Sequence, residues 1–175
     1  MDYLRINLFE LKLKHATKKY LSWLKDPITS MYTEFRFQKH SLKTIRRYIK
    51  NNLESKNNYL YGIFIRDSKN KESIHVGNIK LGEINRTHKF ANISYLVGDK
   101  EYLNKGIGYN AIRMILVIAK KRFKLKKIYA GSYSNNIFSK KVLKKNGFFH
   151  EATFKEKFKF NKKYIDHYIF SKKLS

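Results

Sequence analysis

The sequence has no cysteine, one proline, one tryptophan and few acidic side chains, 13 against 39 lysines and arginines. Without cysteine there is no disulfide framework, no thiol nucleophile and no thiolate metal site. The six histidines are scattered and show no metal-ligand spacing, so no metal is expected. No stretch reaches the roughly 18 consecutive apolar residues that span a bilayer. The start, Met1-Asp2-Tyr3-Leu4-Arg5-Ile6, lacks the basic region and apolar run of a secretory leader. A cytoplasmic location with no membrane partner is the expectation.

Apolar residues make up 42% of the 175 and aromatics 15%, which excludes a disordered basic tail and suits one domain over residues 1–175. The formal charge of +26 would attract any polyanion. The lysines, however, are spread along the whole chain beside many Asn, Ile, Phe and Tyr, a pattern of A/T-rich codons. Nucleic-acid binding is therefore an alternative here and not the leading expectation.

Periodicity divides the chain into elements. Leu4–Leu13 alternates and predicts a strand. Thr17–Lys25 predicts a helix ended by Pro27, with a short helical turn after it. Glu34–Phe37 reads as extended or loop. Ser41 caps a helix running to about Asn57. Strands are expected at Tyr59–Arg66, Ile74–Ile84 and Phe90–Val97, with a polar turn at Asp67–Ser73 and a hairpin turn at Arg86–Lys89. A helix over Asn110–Phe123, a strand at Ile128–Tyr133, and a helix over Asn136–Asn146 stopped by Gly147 follow. A hairpin of Phe148–Phe160 and Tyr164–Lys172 ends the chain.

The stretch Asn104-Lys105-Gly106-Ile107-Gly108-Tyr109-Asn110 lies between an apolar strand and a helix. Unpaired N–H groups at a helix start, with about half a positive charge from the dipole, form an anion site. Glycines 106 and 108 remove side chains that would hold a phosphate away, and Lys105 adds charge. It is not a P-loop, since no Gly-Lys-Ser/Thr closes it, and it is a poor dinucleotide fingerprint. A tight connection with no ligand remains the alternative.

Three pieces together carry a family resemblance. They are Ile93-Ser94-Tyr95-Leu96-Val97 followed by the glycine turn; Asn136-x-x-Ser139-x-x-Val142-Leu143-x-Lys145-x-Gly147-Phe148; and the ending Tyr164-Ile165-Asp166-His167-Tyr168-Ile169-Phe170-Ser171. In this order the chain resembles the GNAT superfamily of acyl-CoA N-acyltransferases, in the branch that includes the ribosomal-protein alanine acetyltransferases. The resemblance implies an α/β (α+β) fold. Its single mixed sheet has about seven strands, mostly antiparallel, flanked by about four helices and splayed at the central parallel pair. It implies acetyl-CoA as cosubstrate and direct attack by a primary amine in a ternary complex, in a monomer or homodimer. Backbone groups of Lys105, Gly106, Ile107, Gly108, Tyr109 and Asn110 would hold the pyrophosphate. Leu96 and Val97 would pair with the pantetheine arm, and Asn136 and Ser139 would meet it further along.

The chain departs from the family pattern at three positions. Leu103 stands where a Gln or Arg is usual, Asn92 where some members carry a glutamate base, and Leu143 where a tyrosine acid is often found. An amide cannot accept the proton that the amine must lose. If Arg86–Lys89 is a four-residue turn, Glu83 falls opposite Asn92 and can present a carboxylate there; a solvated glutamate is the alternative. Ser139 and Tyr133 are the nearest hydroxyls for the leaving thiolate, and His88 is the best-placed histidine for proton work. Glu34, Arg36, Phe37 and Tyr133 are the candidate acceptor residues. The run Tyr32–Ser41, with Gly77–Gly82, is similar to acetyltransferases acting on nucleotide-linked amino sugars. A protein N-terminus, or a non-catalytic CoA- or RNA-binding module on this fold, are the other readings.

Overall fold

The computed structural model describes residues 5–66 and 73–174. Most of the polar turn expected at 67–73 and the first residue of the expected opening strand lie outside the described residues. Seven strands form one sheet in the order β1-β2-β3-β4-β5-β7-β6. They are β1 (Arg5–Glu10), β2 (Tyr59–Arg66), β3 (Ser73–Asn85), β4 (Phe90–Val97), β5 (Lys127–Tyr133), β6 (Phe149–Phe160) and β7 (Lys163–Lys173). Every pairing is antiparallel except β4 with β5.

Local chemistry sets the helix boundaries. In α1 (Lys18–Lys25) the Thr17 hydroxyl accepts from the Tyr20 N–H. Asp26 ends α1 and caps the one-turn α2 (Pro27–Ser30), accepting from the Ile28 and Thr29 N–H groups, with Pro27 at the first helical position. A reciprocal Ser41–Thr44 cap starts α3 (Leu42–Glu54). In α5 (Ile137–Lys145) Asn136 accepts from the Ser139 N–H. Gly147, at φ 78°, supplies the left-handed stop expected from the sequence. The helix after the glycine turn, α4 (Ile107–Lys121), begins three residues before the expected Asn110. Gly106 takes the capping place at φ 75°, so both glycines act at the helix start.

Two apolar layers cover the sheet. On one face α4 and α5 pack Ile107, Ala111, Ile112, Ile115 and Leu143 against Ile79, Leu81, Ala91, Ile93, Ile128 and Phe170. On the other, α1 and α3 pack Tyr20, Trp23, Leu24, Ile45 and Ile49 against Leu60 and Phe64. Burial of each aliphatic side chain contributes about 1.5–3 kcal/mol. His75 is embedded in the second layer, stacked on Phe64 at 4.8 Å and edge-on to Trp23 at 5.0 Å.

Two features of strand pairing position the site. The parallel contact of β4 and β5 is short, running from Phe90↔Lys127 to Ile93↔Ala130. Past it Ser94–Val97 pair only with β3, and Gly131–Tyr133 only with β7. The sheet is therefore splayed at its middle, as expected from the resemblance. The second feature is an irregularity in the β3–β4 ladder between Gly82 and Asn85. The turn at 86–89 is as expected and Asn85 faces Phe90, but the irregularity shifts the rest by one, so Gly82 and not Glu83 lies opposite Asn92.

The outer strands are β1 and β6. β6 is exposed along most of its length, carries Lys155, Lys157 and Lys159, and is interrupted between Phe154 and Phe158, where Glu156 has φ 48°.

Candidate active site

One side of the splay is built from backbone. The N–H groups of Ile107, Gly108 and Tyr109 open α4, and no side chain caps them. The Asn110 N–H, expected to join them, already donates to the Gly106 carbonyl at 3.0 Å, so the free donors end at Tyr109. A Cβ at Gly108 would lie 3.1 Å from the Tyr95 ring, so this turn of α4 sits tight on β4. Basic groups surround it. Lys105 lies over the Tyr102 ring at 5.2 Å, and Arg113 and Lys145 both lie over Tyr109, at 5.8 and 5.1 Å. An anion with two or more phosphates fits this chemistry.

Between α4 and α5, the Tyr95 hydroxyl donates to Ser139 Oγ at 3.2 Å. Burial pushes the Tyr95 phenol up, opposed by that bond, so it stays protonated. Ser139 Oγ, acting as acceptor, keeps its own proton available. Tyr95 was part of a quoted motif, yet the sequence assigned it no role. Leu96 and Val97 border the splay as expected, each with one backbone edge turned away from β3.

The other side of the splay is built from side chains. Tyr133, buried on β5, donates through its hydroxyl to the Glu34 carboxylate. Burial and then Glu34 push the phenol well above its usual range, with Arg36 opposing. The segment Glu34–Phe37 is a 3₁₀ turn, not extended chain. Arg36 binds the Met31 carbonyl at 2.5 Å and the Lys159 carbonyl at 2.5 Å, and its Nη2 reaches the Tyr133 hydroxyl at 3.3 Å. Its plane lies over Phe37, Tyr133 and Phe160 at 4.5, 4.9 and 5.2 Å. Arg36, expected as an acceptor residue, thus ties this turn to the β6–β7 hairpin through both Nη atoms. Phe37 is 62% exposed beside it. The four expected acceptor residues meet in one place.

Glu83 and His88 lie elsewhere. Glu83 sits in the irregular stretch at φ 50°, exposed, with its N–H bonded to the Asn58 side chain. It borders a shallow depression with Asn57, Asn58 and Asn92. Asn92 pairs with Tyr129, inside the closed part of the β4–β5 contact. His88 is in the exposed hairpin turn at the start of β4, away from the splay. Among the described residues no cluster of His, Asp or Glu suits a metal, and no helix is long and apolar enough to cross a membrane.

The acetyltransferase (GNAT) domain model matches residues 5–149, most of the chain. This chain belongs to that family. As a GNAT acetyltransferase domain it falls in a family whose cosubstrate is acetyl-CoA. It is similar to the probable N-acetyltransferase YjcK of Bacillus subtilis (strain 168), 32% identical over 118 residues. That alignment covers 67% of this chain and 62% of YjcK, so this GNAT chain matches less than two thirds of that relative's length. Its fold is similar to that of spermidine N-acetyltransferase from Vibrio cholerae, solved with CoA and spermine. The TM-score is 0.83 at 18% identity, over 97% of this chain and 95% of that one. It is equally similar to RimL, a ribosomal L7/L12 α-N-protein acetyltransferase solved with CoA, with TM-score 0.83 at 17% identity over 97% and 94%.

Proposed function

We propose that this chain transfers the acetyl group of acetyl-CoA to a primary amine in a ternary complex, and that the acceptor is a nucleotide-linked amino sugar. The observation that carries the reading is the splay with two unlike sides. On one side a helix start offers free N–H groups to a pyrophosphate. On the other, Glu34, Tyr133 and Phe37 offer a carboxylate, a hydroxyl and an exposed ring.

The chain's own residues supply binding and alignment. Backbone N–H groups of Lys105 to Tyr109 hold the phosphates, and the free edges of Leu96 and Val97 take the pantetheine arm. Asn136 fixes the start of α5 and so places Ser139. Ser139, accepting from Tyr95, directs its hydroxyl proton to the thioester sulfur and its departing charge. Holding amine and thioester in line removes much of the entropic barrier.

Charge supports an acceptor that is itself anionic. Glu34 takes the amine, while Lys157 and Lys159 lie on the hairpin strand nearby and Phe37 is free to stack on a base or sugar ring. A polyamine such as the one bound by the V. cholerae enzyme suits a site rich in carboxylates, and a chain of net charge +26 repels it. A protein N-terminus is the second reading, supported by the likeness to RimL.

Thermal stability with acetyl-CoA, set against CoA and ATP at raised salt, tests the cofactor side by mass action. Thiol release then compares a nucleotide-linked amino sugar, spermidine and a peptide with a free N-terminus. The amino sugar is expected to exceed the others at least about tenfold in kcat/KM, roughly 1.4 kcal/mol. Preference for the peptide overturns the acceptor and keeps the chemistry.

A further inference from the structure

The reaction needs a group that takes a proton from the acceptor ammonium, and the family's glutamate position is occupied by Asn92. The residue that meets the geometric requirements is one the sequence did not single out. His167 lies on β7 directly opposite Tyr133 on β5. Gly131 is the first β5 residue past the last pair with β4, and it is exposed. A Cβ there would come within 2.4 Å of His167 Nε2, so the ring rests on the bare backbone at the point where the strands part. Phe158 packs on the ring at 4.4 Å and Phe154 stacks on it at 6.1 Å. Nδ1 is buried with no hydrogen-bond partner among the described residues.

We propose that His167 is the general base of this enzyme and takes the proton of the acceptor amine at Nε2, beside Gly131. The assignment rests on the acetyl-transfer reading above. The step balances. Nε2 accepts one proton from the ammonium. The freed amine forms the C–N bond to the acetyl carbonyl as the C–S bond breaks. The second nitrogen proton goes to the departing sulfur, and His167 returns its proton to solvent.

Electrostatics agree with the role. Burial, with Lys157 second, holds the imidazole below its ordinary value of 6.5, and Glu34 opposes them. The ring is therefore neutral and ready to accept a proton at neutral pH. The titratable groups facing it are Tyr133 on β5, Lys157 on β6 and Glu34 on the 3₁₀ turn.

The test is a pH–rate profile of wild type and His167→Gln with acetyl-CoA and the best amine of the panel, with acetyl-CoA thermal shifts alongside. In wild type, kcat/KM falls on an acidic limb that matches the midpoint of the His167 Cε1–H signal followed by NMR. In His167→Gln, kcat at pH 7 drops about a hundredfold, the size expected for loss of a general base. The acidic limb is replaced by a rise toward the amine's own pKa, and the acetyl-CoA shift is unchanged. A uniform loss with the profile unmoved makes His167 a positioning residue and overturns the assignment, as does activity within threefold of wild type. Should the variant fail to fold, a mismatch in wild type between the NMR midpoint and the acidic limb is enough to overturn it. Wild type that transfers acetyl to none of the amines overturns the functional reading and this assignment together. Wild type active with His167→Gln unaffected overturns the assignment alone.

Discussion

The two sides of the splay differ in what they are made of. The α4 side is assembled from consecutive residues, 105 to 109, and its donors are main-chain N–H groups. The opposite side draws Glu34 and Arg36 from a 3₁₀ turn, Tyr133 from β5 and His167 from β7, and its groups are side chains. A backbone site is indifferent to most substitutions but intolerant of a lost glycine. A side-chain site is remade by single substitutions while its walls persist. The first suits a constant cosubstrate, and the second suits an acceptor that varies from one family member to the next.

The sharpest way to separate the sides is Gly108→Val. The added Cβ meets the Tyr95 ring at 3.1 Å with the Val97 side chain 3.8 Å away, so the branches of a valine force the turn away from β4 and move its N–H groups. Acetyl-CoA affinity is expected to fall at least about a hundredfold, near 3 kcal/mol, and the acetyl-CoA thermal shift to vanish while far-UV circular dichroism is retained. An undiminished shift would show that backbone approach is not what binds.

Acid separates the two layers of the core. Burial, first among its causes, holds His75 near pKa 4, while its unfolded value is 6.5. Below 6.5 the unfolded chain binds the proton and the folded chain does not. The contribution is complete above pH 6.5 and is lost progressively as pH falls toward 4, to a total of roughly 3 kcal/mol. Hydrogen exchange between pH 7 and 4 should therefore show α1 and α3 losing protection before α4. Simultaneous loss would make the two layers one cooperative unit.

Glu34→Gln keeps an acceptor for the Tyr133 hydroxyl and removes the charge. Steady-state kinetics should show about a tenfold loss in kcat/KM for the amine, roughly 1.4 kcal/mol, with KM for acetyl-CoA unchanged. An equal loss on both substrates would mean that the sides are not separable. Ser139→Ala has the smallest expected effect, about two- to threefold in kcat, from one modest hydrogen bond. The Asn136 cap binds the Ser139 backbone and survives the substitution. A tenfold loss or more would show that Ser139 gives its proton to the sulfur outright and does more than donate one hydrogen bond to it.

What the sequence revealed follows the same division. The glycine turn was legible because its chemistry is local. Only the helix start was misplaced, since Gly106 serves as cap and α4 begins at Ile107, not at the expected Asn110. Strand order and splay came through the family resemblance, not through periodicity, which carries no pairing information. The β3–β4 register failed although its turn was read correctly. The irregularity places Glu83 at positive φ without a glycine at that residue to announce it. Glu34, Arg36, Phe37 and Tyr133 were found together, but the carbonyls that occupy Arg36 come from residues 31 and 159, which no local pattern links. His167 sat inside a quoted motif. Its place opposite Tyr133 is readable only once β5 is known to pair with β7.

The lysines of β6 bear on how this sheet ends. A border strand carries a row of free N–H and C=O groups that can template addition of another strand, including one from a second copy. Lys157 and Lys159 set like charges along that border, Lys155 beside them is paired with Asp166, and the break at Glu156 bends the ladder out of register. A second β6 approaching edge to edge meets the ammonium groups of Lys157 and Lys159 with the same two of its own. Part of the chain's excess charge thus works against the zipping of neighbouring molecules into a longer sheet.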